Sequence, residues 1–516
     1  MTTRRDMLKW MGIGGISFPH CIYSNNKDNA MIQPNILLVH VDQLRFDCLG
    51  ISGNPDIHTP NIDGLAAHGV RYTNSFCPYP ICTPSRYSLL SGLYVHEHRG
   101  HDNHCTLAPD IDTFPKRLRD AGYHTKAVGK MHFTPTYLDV GFQEMELSEQ
   151  DGLGRWDDDY HRDLMGLNLV DKNDLEDQRK EYRADAPEEY WKKLGALVSN
   201  LPEEHHSTTW IGDRAVNSLE KWTDTTPNLL LVGFIKPHHP FDPPAPWHEM
   251  YNPKAIALLP GYLERCPDME YQYHKGYFDN RLWDETALRY ATAYYYATIS
   301  QIDHHVGRMI ATLKKKGLYD NTMIIFTSDH GEYMGFHHLM LKGNYLYDPL
   351  VRVPLIIKYP HSLDAGLSSD ALVNNVDVAL TILKAAGVQP ASSMKGHDLR
   401  EKKDAREFIF CGRTEVMVRS RTRKLILTQR ENAKQAFFDL TKDPLELENR
   451  YNNPEYQEEI LHLRKVISEW RPDEYLTTNT FLDEDAAQID QPNVPSRDRS
   501  HRGKIIEYYQ AKMKAL

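Results

Sequence analysis

Three unbroken apolar runs, each stopping at residues that can bind ions or protons, constrain this chain more than any other feature. Asn35–Val41 (NILLVHV) gives way to Asp42-Gln43, and Asn228–Ile235 (NLLLVGFI) to Lys236-Pro237-His238. Thr322–Thr327 (TMIIFT) gives way to Ser328-Asp329-His330. A strand with one wet face alternates apolar and polar residues, whereas a strand covered on both faces does not. The runs therefore predict the centre of a largely parallel sheet. In open α/β sheets, ligands bind beyond the carboxyl ends of such strands. The polar groups that follow each run are the first candidates for chemistry.

Helical patterns fill the intervals. Ile299, Ile302, Val306, Met309, Ile310 and Leu313 recur at spacings of three and four, which makes one apolar face, and Gly317 stands where a helix-ending glycine belongs. Tyr290, Tyr294, Tyr295 and Tyr296 share that helical spacing and read as core packing. Alternating strand and helix predicts a doubly wound α/β domain over residues 31–370. Residues 371–516 are expected to complete the sheet and to build a smaller C-terminal α+β subdomain. There Arg421–Leu427 and Phe437–Leu440 read as an antiparallel pair, covered by a helix over Glu455–Trp470. The acidic, aromatic stretch Ser148–Ser207 reads as an insertion near a substrate mouth.

Sixty basic against seventy-one acidic side chains give a net charge of −11, so no broad basic field for nucleic acid exists. Any anion site must be local. The seven cysteines include no CxxC pair, which argues against a zinc ribbon or a disulfide framework. Arg4-Arg5, then Lys9 and the short apolar run Trp10–Phe18, read as an export signal within residues 1–30. It resembles a twin-arginine signal, with Met7 where Phe is usual, and implies a periplasmic destination. No other stretch reaches the ~18–20 apolar residues of a spanning helix, so no transmembrane segment is expected.

Cys82-Thr83-Pro84-Ser85-Arg86 resembles the Cys-x-Pro-x-Arg signature of the type I sulfatases, in which the cysteine is oxidised to formylglycine (3-oxoalanine). Ser91 and Leu93 depart from the usual Thr and Arg behind it. Further segments follow in the family's order: Thr59–Asp63, Gly129-Lys130-Met131-His132, Lys236–Pro240, Ser328-Asp329-His330-Gly331-Glu332, Lys342 and Val353–Ile356. Phe438-Asp439-Leu440, Asp443-Pro444 and Glu448-Asn449 resemble its C-terminal motif. The resemblance spans about Pro34 to Asn449.

This resemblance implies an alkaline-phosphatase-like mixed sheet flanked by helices. It implies Ca2+ held by Asp42, Gln43, Asp329, His330 and the modified Cys82, although Gln43 replaces a common Asp and His330 an Asn. Oxygen-rich ligation suits Ca2+ better than a transition metal. Arg86 and Lys130 match positions that stabilise the aldehyde hydrate and offset sulfate charge. His132 matches the residue that takes a proton during elimination of sulfate. His238 and Lys342 match the pair that contacts sulfate and protonates the leaving alkoxide. His101 and Asn103 follow the nucleophile closely and are candidate substrate contacts. His98, His104, His239, His337 and His338 lie near motif segments and read mostly as structural.

The implied substrate is a sulfated carbohydrate, such as the algal polymer ulvan or a glycosaminoglycan. The implied partner is a formylglycine-generating or anaerobic sulfatase-maturing enzyme. Choline sulfate and aryl sulfates are alternatives. So is a phosphonate monoester or phosphodiester hydrolase, which shares the fold and the nucleophile motif. A phosphatase would carry Thr or Ser at position 82, and a non-catalytic carbohydrate-binding chain would lack some of these residues. In a host with maturation machinery, mass spectrometry of the tryptic peptide containing Cys82 should show loss of the thiol. Cys82→Ser should be inactive there, because serine cannot follow the same oxygen-dependent route.

Overall fold

Alternate residues of the apolar runs face opposite cores, which is why the runs cannot alternate in polarity. Leu37, Val39 and Val41 join one apolar cluster, and Ile36 and Leu38 the other. These runs form β1 (Asn35–Val41), β5 (Asn228–Phe234) and β6 (Thr322–Ser328), each buried throughout. The computed structural model describes residues 33–515 apart from 151–153, 179–185, 268–277, 344, 402–405, 429–433 and 472–500. The segment read as an export signal lies outside the described residues.

The remaining strands of the large sheet are β2 (Val70–Phe76), β3 (His124–Gly129), β4 (Glu144–Leu147), β7 (Leu355–Lys358) and β8 (Leu367–Asn374). The eight strands run in the order β4-β3-β5-β1-β6-β7-β2-β8. Only β7 opposes its neighbours, so the sheet is mixed.

One face is covered by the helices Ser207–Glu220 and Glu285–Lys315, through Ile211, Ala215, Ile299, Ile302, Val306 and Met309. The long helix starts where Asp284 accepts from the N–H groups of Thr286 and Ala287 at 2.9 and 3.1 Å. Gly317 follows its end at φ 70°, as the sequence predicts. The other face is covered by helices Cys82–Ser91, Phe114–Asp120 and Val376–Ala385. None of the described helices is long and apolar enough to cross a membrane.

A second sheet has the antiparallel order β12-β11-β10-β9, from β9 (Ile409–Gly412), β10 (Glu415–Arg419), β11 (Arg423–Thr428) and β12 (Ala436–Asp439). The expected β11–β12 pair is present, and helix Gln457–Trp470 packs Ile460, Leu463 and Ile467 on Val416, Val418 and Phe437. Lys424, fully buried between Asp348 and Glu446, ties this sheet to the large one. Residue 370 falls inside β8, which stays paired with β2 as far as Asn374, and the described residues from Pro34 onward form one compact unit.

Gly129 and Gly233 face each other at the carboxyl ends of β3 and β5. A methyl group on Gly233 would lie 2.1 Å from the carbonyl oxygen of Lys130, so only glycine allows this approach. Gly233→Ala is therefore expected to cost about 1–3 kcal/mol in urea unfolding. Gly64→Ala is the control. It adds a methyl to helix Pro60–Ala67 with nothing within 4 Å, and should stabilise by up to about 1 kcal/mol.

Candidate functional site

The register of β1 on β6 pairs Val41 with Ser328, so Asp42 and Asp329 emerge side by side, both fully buried. Arg86 answers them. Its Nη2 lies 3.1 Å from Asp42 Oδ2 and 3.0 Å from Asp329 Oδ2, and its Nη1 donates to the Lys130 carbonyl at 2.7 Å. The guanidinium is thus directed at protein groups. Lys130 Nζ adds a second cation at 2.6 Å from Asp42 Oδ2. Burial pushes the Asp42 carboxyl up, but Lys130, His238 and Arg86 outweigh it and hold it well below the usual carboxylate range.

Arg86 sits one helical turn beyond Cys82, so both project from the same face. All ten residues of this helix are buried. Its first turn is pinned from three sides: Thr83 N donates to Asn103 Oδ1 at 3.1 Å, Thr83 Oγ1 to the His132 carbonyl at 2.7 Å, and Ser85 Oγ to the Asp329 carbonyl at 2.6 Å. Cys82 Sγ lies 3.3 Å from His330 Nε2, 3.0 Å from Lys342 Nζ and 3.7 Å from Asp42 Oδ1.

The donor set could hold a metal ion. One ligand atom each from Asp42, Cys82, Asp329 and His330 falls within a 4.8 Å span. His330 Nδ1 lies 2.9 Å from the Gly331 carbonyl, which puts its proton there and leaves the Nε2 lone pair toward the group. Gln43 has a left-handed backbone (φ 62°), its N–H donates to Asp329 Oδ1 at 3.0 Å, and its buried Oε1 has no hydrogen-bond partner. An unpaired buried acceptor costs about 1–3 kcal/mol, a penalty that a cation would remove. The carboxylate and amide oxygens are donors that a hard cation takes, whereas the imidazole nitrogen of His330 departs from that pattern.

Bordering this group, Lys342 Nζ lies 3.3 Å from His330 Nε2 and 2.9 Å from His238 Nε2, and His238 Nδ1 lies 2.8 Å from the His239 carbonyl. Burial and the Lys342 charge hold His238 well below the ordinary histidine range. Burial pushes Lys342 down, but Cys82 and Asp42 overcome it and raise its pKa. The proton of this pair therefore rests on Lys342. The turn carrying His238 is anchored by Lys236, whose Nζ is 3.0 Å from Asp174 and 2.6 Å from Asp242. Asp174 and Asp177, which pairs with His239 at 3.3 Å, both come from the stretch read as an insertion.

His132 is held at φ 56° by Glu149, whose carboxylate accepts from the N–H groups of Met131 and His132 at 2.9 and 3.0 Å. Burial raises the Glu149 pKa to about 7. The sequence offered no signal for Glu149, Asp174 or Asp242, which act from outside the motifs. His101 is buried on the loop after the helix, and Asn103 directs its side-chain oxygen to Thr83. His98 bonds Ser88, and His338 sits between the Leu263 and Asn280 carbonyls. Tyr295 packs in the core as read, and its hydroxyl also donates to the Gln43 carbonyl at 2.7 Å.

Residues 34–388 match the family model described as Sulfatase, and residues 335–473 match that of the N-sulphoglucosamine sulphohydrolase C-terminal region. The chain is 30% identical over 479 residues to an arylsulfatase of Clostridium perfringens, covering 87% of this chain and 98% of the other. It is 27% identical over 522 residues to an N-acetylglucosamine-6-O-sulfatase of Bacteroides thetaiotaomicron, covering 89% of each. Its fold is similar to that of a phosphonate monoester hydrolase of Agrobacterium radiobacter, with a TM-score of 0.69 at 23% identity, covering 86% of this chain and 96% of that one.

The Lys236 clamp yields a stability test. Lys236→Met leaves Asp174 and Asp242 buried without their cation and should cost about 3–5 kcal/mol in urea unfolding. Asp242→Asn leaves Lys236 paired with Asp174 and should cost clearly less.

Proposed function

The chain belongs to the sulfatase family and is a sulfuric ester hydrolase, and from that premise we propose that it desulfates a sulfated carbohydrate through a formylglycine hydrate made from Cys82. Asp42, Gln43, Asp329 and His330 would hold Ca2+ beside it. The observation that carries this reading is Lys342, whose ammonium lies 3.0 Å from Cys82 Sγ and 2.9 Å from His238 Nε2. The nucleophile position thus touches both the group that could hold a cation and the proton-bearing pair.

The hydrate offers two hydroxyls on one carbon: one attacks sulfur, and loss of the other's proton later expels sulfate and restores the aldehyde. Bound calcium would lower the hydroxyl pKa and draw charge from a sulfate oxygen. Lys130 and Lys342 supply positive charge beside the nucleophile, while Arg86 acts by fixing the two carboxylates. Lys342 donates its proton toward the leaving alkoxide, with His238 Nε2 keeping the ammonium in line, so the acid is the pair and not His238 alone. His132, on the loop that bonds Thr83, takes the proton in the elimination step. The amino-sugar sulfatase among the relatives supports a sugar sulfate as substrate. Export to the periplasm and maturation by a dedicated enzyme belong to the same reading.

The test compares His238→Ala, Lys342→Ala and His132→Ala on one aryl sulfate and one sugar sulfate. An aryl leaving group needs little acid help, so the first two variants should lose ~10²–10⁴-fold more on the sugar sulfate. His132→Ala should slow both substrates and let sulfated enzyme accumulate. Equal losses on both substrates for the first two would assign them to sulfate binding. Faster turnover of an aryl phosphonate monoester than of the aryl sulfate would favour the phosphonate hydrolase reading.

A further inference from the structure

Gln43 can serve a cation only if its amide oxygen, and not its NH2, faces the metal group. Nothing in the Gln43 side chain itself decides this, because the two ends of an amide have the same shape. The decision comes from the other side. Gln43 Nε2 donates to Glu332 Oε2, and Glu332 Oε1 accepts from the Met334 N–H at 3.0 Å and from the Leu341 N–H. Glu332 and Gln43 are both fully buried. The Gln43 backbone cannot turn away either, since its N–H is bonded to Asp329 and its carbonyl to Tyr295.

We propose that Glu332 is a positioning residue that orients the Gln43 amide so that its oxygen faces the metal group. Three donors converge on Glu332, and a carboxylate offers two acceptor oxygens to meet them. The remaining amide atom of Gln43, Oε1, is the one left buried without a partner. A side-chain amide at position 332 has a single acceptor oxygen. If that oxygen meets the two backbone N–H groups, its NH2 points at Gln43 and turns the Gln43 amide round, presenting N–H to the cation. The inference rests on the proposed Ca2+ site.

The readout is Ca2+ affinity of the metal-stripped full chain by titration calorimetry, with no turnover involved. Glu332→Gln should weaken Ca2+ binding by about 10–100-fold, the usual size of a supporting-residue effect. The same substitution in a Gln43→Ala background should change affinity by less than about threefold, because no amide remains there to orient. Loss of the Glu332 charge acts in both backgrounds and cancels from the comparison. Equal weakening in both backgrounds, or none with Gln43 present, would overturn the proposal. Failure of the unsubstituted chain to bind Ca2+ would instead overturn the metal reading beneath it.

Discussion

Asp42 and Asp329 stand just beyond the ends of neighbouring parallel strands, in register, with neither side chain open to water. Two carboxylates in that position lose their hydration and repel each other across a medium that screens poorly. Arg86 makes the pair tolerable by reaching both, and Lys130 adds a further cation to Asp42. Because Arg86 belongs to the helix that begins at Cys82, charge compensation and placement of the thiol are one arrangement. The loop after β3 is drawn into it as well, since its Lys130 carbonyl accepts from the same guanidinium.

The motif of a buried cation between two carboxylates recurs away from this centre. Lys236 joins Asp174 to Asp242, and Lys424 joins Asp348 to Glu446. Such clusters seldom beat well-packed apolar groups in stability, yet breaking one is expensive. Their effect here is to select one arrangement of distant segments: the Lys236 cluster settles where His238 lies, and the Lys424 cluster settles how the second sheet meets the first. Glu332 extends the same logic to a neutral side chain, with hydrogen-bond polarity in place of charge.

The centre of the fold was legible because burial on both faces leaves a plain mark on a strand. The runs at Asn35, Asn228 and Thr322 became the adjacent strands β1, β5 and β6. Edge strands carry less of that mark. β8 (LSSDALVN), the last strand of the sheet, is only partly buried and no apolar run marks it, so a division at residue 370 cut through it. Arg86 and Asp42 were legible as members of short motifs. Glu149 and Asp174 were not, because their partners lie elsewhere in the chain and only tertiary contact reveals them, and Asp242 was not, because it stands just outside the Lys236–Pro240 segment. Glu332 was visible as a letter of its motif, but its geometry with Gln43 was not.

The helix that begins at Cys82 lies wholly inside the folded molecule, locked by Thr83, Ser85 and Arg86 to the loops after β3 and β6. Under the formylglycine reading proposed above, an enzyme that had to reach the Cys82 side chain would find it closed off in the finished fold. Conversion would then have to precede folding, and the active fraction of a preparation would record how that competition ended. Slower synthesis would raise it, while refolding a mature but unconverted chain would not.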